Sequence, residues 1–111
     1  MAVNKEPQKA RAELEIYLER GWPLPSTNRS DNEYWSWVKF DSDKNLKRGI
    51  WTLFIKLDET PAGNKSKYIS TVYFLAPDAP EEFLFVGSQF ELFSGHGETV
   101  KAKGKIIEIK P

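Results

Sequence analysis

In the stretch WTLFIKLD (residues 51–58) every second side chain is apolar: Trp51, Leu53, Ile55 and Leu57 alternate with Thr52, Phe54 and Lys56. A two-residue repeat sends one set of side chains to each face of an extended strand, so it describes a sheet with one covered face. The same period runs through ARAELEIYL (10–18), where Ala10, Ala12, Leu14, Ile16 and Leu18 alternate with Arg11, Glu13, Glu15 and Tyr17. Alanine, leucine and glutamate are good helix formers, so residue content alone favours a helix there. The period decides for a strand.

EYWSWVKFD (33–41) puts Tyr34, Ser36, Val38 and Phe40 on one face and Trp35, Trp37 and Lys39 on the other. YISTVYFLA (68–76) is β-branched and aromatic throughout, and FLFVGSQFELF (83–93) and TVKAKGKIIEI (99–109) read as further strands. Glycine, proline and short polar residues separate them at 21–32, 41–49, 58–67, 77–82 and 94–98. Strands broken by such turns, with no long helical repeat, predict an all-β fold: a small closed Greek-key antiparallel barrel of about six to seven strands. Residues 1–8 carry no periodic pattern and read as a mobile leader, and residues 9–111 as a single domain.

Sixteen basic and sixteen acidic side chains cancel, so no long-range field gathers nucleic acid or an anionic membrane. The absence of cysteine excludes a disulfide framework, a thiolate metal site and a cysteine nucleophile, and fits a reducing compartment. The polar start and the lack of a long apolar run predict a cytoplasmic protein with no membrane partner.

The one histidine, His96, lies between two glycines in SGHGE. Its potential partners Ser94, Glu98 and Thr99 share the same turn, so it reads as a solvated turn residue. NKSK (64–67) lacks the aspartate of a guanine-recognition tetrapeptide, and no phosphate-loop pattern occurs, so no nucleotide is expected. Asp78, Glu81 and Glu82 stand in proline-rich turns without the contrasting surroundings that acid–base pairs need. The chain is therefore expected to be no enzyme and to use no cofactor or metal.

Taken in order, KARAELEIYLERGWPLP, DNEYWSWVKFDSD and the closing stretch from Ile69 to Ile109 resemble the third, C-terminal β-barrel domain of elongation factor Tu. Gly87, Phe90, Gly95, Ala102, Gly104 and Ile106 fall at matching places, and the match weakens over 44–67. The resemblance implies a small Greek-key barrel with no catalysis of its own. In the parent factor such a barrel contacts the GTPase domain, the T-arm of aminoacyl-tRNA and partner proteins.

Two surfaces are candidates for function. Trp22, Trp35, Trp37 and Lys39 form an expected protein-binding group, because tryptophan brings interface area at little rotamer entropy. Its alternative is a second small core under the loop of residues 24–32, to which Tyr34 and Trp51 would add. Lys101, Lys103 and Lys105 share a strand face that would suit RNA, with aromatic rings nearby to stack on bases. The alternative for these lysines is protection of an edge strand against self-pairing. The leading expectation is a non-enzymatic module that binds another protein, of the size and type of an inhibitor or immunity protein against a bacterial toxin; RNA is the runner-up.

Overall fold

The computed structural model describes residues 7–17, 32–61, 65–93 and 99–110. Within them the alternating stretches form six strands: β1 (Ala10–Ile16), β2 (Glu33–Phe40), β3 (Trp51–Leu57), β4 (Lys67–Phe74), β5 (Gln89–Phe93) and β6 (Val100–Ile109). All pairs are antiparallel, in the order β1-β4-β3-β2-β5-β6, and β6 closes back onto β1. β2, β3 and β4 are successive neighbours, while β5 returns beside β2 and β1 lies beside β4, a Greek-key path. The small closed barrel expected from the sequence is the observed fold.

In β1 the period prevails over helix propensity: Ala10, Ala12, Leu14 and Ile16 are buried, and Arg11, Glu13 and Glu15 are not. Partners on both sides explain why, since β1 is laddered to β4 and to β6. Propensity is a weak prior beside such tertiary pairing.

The interior sets small residues against large ones. Ala12, Ala102 and Gly104 leave room for the Phe40, Phe74 and Phe90 rings, with Phe40 centred 5.4 Å from Phe90 and 5.9 Å from Phe74. Gly104 is in register with Leu14 on one side and Phe90 on the other. A Cβ at that position would stand 2.3 Å from Phe90 Cζ and 2.8 Å from Leu14 Cδ2, so the neighbours already fill the space of a side chain. That is why a glycine interrupts an otherwise regular strand.

Three serines point inward. Ser70 Oγ donates to Ala12 O at 3.1 Å and Ser36 Oγ to Trp37 O at 2.9 Å, but Ser88 Oγ meets no partner among the described residues.

One strand is shorter than the sequence suggests. Pairing in the stretch 83–93 covers Gln89–Phe93 alone, and Glu81–Phe83 forms a single 3-10 turn. Gly87 adopts a left-handed φ of 95°, and Phe85 and Val86 are both exposed, which breaks the alternation. Contact with β6 starts where Gly87 N donates to Ile106 O and Ile106 N donates to Ser88 O. The other strands lie within two residues of their sequence stretches.

Gln8, placed in the leader by its sequence, is held: its backbone N donates to Glu81 Oε2 and its Nε2 to Lys110 O, both at 2.8 Å. The rest of the expected leader before Pro7, and Leu18, lie outside the described residues.

Candidate functional site

Register turns scattered outward residues into rows that cross the strands. Trp35 on β2 faces Phe54 on β3, and Phe54 faces Tyr73 on β4. The Phe54 and Tyr73 rings pack with centroids 4.8 Å apart, and the Lys9 ammonium sits 5.6 Å from the Tyr73 centroid. Trp35 is 40% exposed although it belongs to a regular strand. Its neighbouring inward residues, Tyr34 and Ser36, fill the barrel, so the alternation leaves the indole on the outside.

A parallel row runs Glu33–Lys56–Thr71–Arg11–Glu108 across β2, β3, β4, β1 and β6. The last pairing depends on a bulge: β6 carries an extra residue, Ile107, between the partners of Ala12 and Arg11. Arg11 Nη2 reaches Asp58 Oδ2 at 2.5 Å and its Nε lies 3.9 Å from Glu108 Oε1. Together the two rows, Glu108 excepted, line a groove of about 890 Å³, which also takes in Asp58, Leu75 and Lys110.

The expected tryptophan group divides. Trp35 lines the groove. Trp37 shares its face but is half-buried, edge-on to Phe93 at 5.9 Å, and does not line it. Lys39 lies 3.7 Å from Glu91 across β2 and β5, also away from the groove. Trp51 faces the core and donates its indole N–H to Arg48 O at 2.6 Å, while Tyr34 is buried. Trp22, His96 and the loop of 24–31 lie outside the described residues.

Lys101, Lys103 and Lys105 point outward as the alternation predicts, with Ala102, Gly104 and Ile106 buried behind them. They do not guard an edge, because β6 is paired with β5 from Val100 to Lys105 and with β1 from Ala102 to Ile109. This corrects the edge-strand expectation: closure removed the edge. The row through Lys103 reads Lys39–Glu91–Lys103–Glu15–Lys67, alternating in sign across five strands. Lys103 Nζ lies 3.3 Å from Glu15 Oε1, and Lys105 stands between Gln89 and Glu13. Each of these two lysines therefore faces a carboxylate on a neighbouring strand.

Phe54, Tyr73, Lys9 and Lys56 are among the groove residues that sequence reasoning missed. Phe54 carried a signal, since it is the one apolar residue among Thr52, Phe54 and Lys56 on the polar side of its strand. Tyr73 carried none, because both faces of YISTVYFLA are apolar.

Elsewhere Arg48 pairs with Glu82 and holds that carboxyl below its ordinary range, first by the side-chain hydrogen bond and also by charge. Among the described residues no three His, Cys, Asp or Glu side chains gather as a metal site, and no helix is long and apolar enough to cross a membrane. Compared with known proteins, the chain matches no family model, no curated protein and no solved structure.

Proposed function

We propose that this chain is a non-enzymatic binding module whose ligand is another protein, seated on the groove of Trp35, Phe54 and Tyr73. The observation that carries the reading is the aromatic row itself: three rings in register on the outer wall, one of them substantially exposed. A row of that kind brings apolar area to a partner at little conformational cost. The resemblance to the third barrel of elongation factor Tu supports binding over catalysis, because that barrel works through its outer surface. An inhibitor or immunity-type role in the cytoplasm belongs to the same proposal and rests on small size and freedom from cysteine.

RNA held on Lys101, Lys103 and Lys105 has less support, because Glu15 and Glu91 flank Lys103 and Glu13 stands beside Lys105. Phosphate tracking needs cations that are not already balanced.

Affinity capture with the wild-type chain, Trp35→Ala and a Lys101/Lys103/Lys105→Gln variant separates the two readings. Circular dichroism first checks that each variant folds. A protein partner should be lost with Trp35→Ala, by at least about 2 kcal/mol if the indole is an interface hot spot, and kept by the lysine variant. Recovery of RNA that disappears with the lysine variant and with moderate salt would overturn the proposal.

A further inference from the structure

The groove is not electrically uniform, and its asymmetry speaks to the chemistry of the occupant. Four cations line it, Lys9, Arg11, Lys56 and Lys110, against two carboxylates, Glu33 and Asp58. Asp58 is taken by Arg11, and Glu33 stands in register with Lys56. The excess positive charge therefore belongs to Lys9 and Lys110, neither of which forms an ion pair with a described residue. These two are neighbours, since Lys110 N donates to Lys9 O at 3.0 Å. Both lie at the Tyr73 end of the aromatic row, with Trp35 at the other end.

We infer that the groove takes an extended acidic segment of a partner protein, with an apolar side chain against Trp35 and Phe54 and a carboxylate between Lys9 and Lys110. The inference rests on the protein-binding reading above and names the partner's chemistry. Strand spacing sets the span: from Trp35 across β3 and β4 to Lys9 is three inter-strand steps, about 15 Å, which an extended chain covers in about four to five residues. At a separation of four residues the anchor and the carboxylate project from the same side of the segment, as alternate positions on a strand do.

A single nucleic-acid strand fits the same face less well. Stacking bases need open ring faces. Here Phe54 and Tyr73 pack on each other, and Lys9 lies over Tyr73.

The test uses three probes on the full chain: a short fluorescein-labelled peptide of aspartate and glutamate around one central leucine, its counterpart with lysine for each acid, and oligouridylate of similar length. Anisotropy reports affinity, and the Trp35 indole N–H resonance reports the place. The acidic peptide should shift the Trp35 resonance and the Lys9 and Lys110 amides, and the lysine peptide should not. Lys9→Glu with Lys110→Glu should weaken the acidic peptide by about tenfold or more. Lys9→Gln with Lys110→Gln, which leaves no new charge behind, should fall between that variant and the wild type.

No binding of the acidic peptide at millimolar concentration, equal binding of the lysine peptide, or tighter binding of oligouridylate to the same face would each overturn the inference. The two proposals fail separately. A captured protein that is lost with Trp35→Ala but indifferent to Lys9→Glu with Lys110→Glu would leave the protein-binding reading standing and remove the acidic partner alone.

Discussion

On β3 the outward residues are Thr52, Phe54 and Lys56; on β6 they include Lys101, Lys103 and Lys105. Read one strand at a time, β6 looks like a basic stripe and β3 like an ordinary mixed face. Laid beside their neighbours, the impressions reverse. Lys103 and Lys105 enter a checkerboard with Glu91, Glu15 and Glu13, whereas Phe54 becomes the middle of a row with Trp35 and Tyr73. The charged wall of β5, β6 and β1 is balanced within itself, and the aromatic wall of β2, β3 and β4 is not. Surface character here is a property of register, created by pairing between distant parts of the chain.

The comparison can be broken hardest from inside the charged wall. Gly104→Ala forces a Cβ into Phe90 and Leu14, and the barrel should lose about 3 kcal/mol as overpacking does, read as a lower urea midpoint. An unchanged midpoint would mean that the contact between β5 and β6 is slack. On the aromatic wall Trp35→Ala should do the opposite: the urea midpoint moves little, within about 1 kcal/mol, while binding falls by about 30-fold or more. A large stability loss there would make the indole part of the core and not a docking residue.

Ser88→Ala removes a buried hydroxyl that meets no described partner, so it should stabilise the barrel by about 1 kcal/mol in the same assay. Lys103→Glu sets three carboxylates side by side across β5, β6 and β1, and should cost about 0.5 kcal/mol, a loss that salt reduces. Lys56→Glu would instead place its new charge beside Glu33 in the groove, so its main effect should be on binding to the acidic peptide. The smallest expected effect is at Glu82. Its carboxyl is depressed by Arg48, so its contribution is present above the ordinary carboxylate range and fades as pH falls through its own lowered value. A Glu82→Gln variant should lose that acid-side slope and match the wild type's shape at neutral pH.

The strands were legible because one face of each is buried, and burial writes itself into the sequence as a period of two. β1 shows the strength of that signal, since its alanines, leucine and glutamates would otherwise suit a helix. The stretch 83–93 shows its weakness: Phe83, Leu84, Phe85 and Val86 are apolar without alternating, and a run of that kind does not say where pairing begins. Trp35 and the outward lysines could be placed on the correct face from their own strands alone. Their meaning could not, because the residues that decide it, Phe54 and Tyr73 for the first and Glu15 and Glu91 for the second, are distant in the chain. Trp37 was indistinguishable from Trp35 by spacing, and Phe93 on β5 is what separates them.

The hydrogen bond from Lys110 to Lys9 has a practical side. It brings the residue before β1 and the residue after β6 together at the lip of the groove. A reporter dye joined to either flank would start its path within reach of an incoming ligand and would register occupancy directly. A bulky purification handle joined at the same places would stand in the doorway.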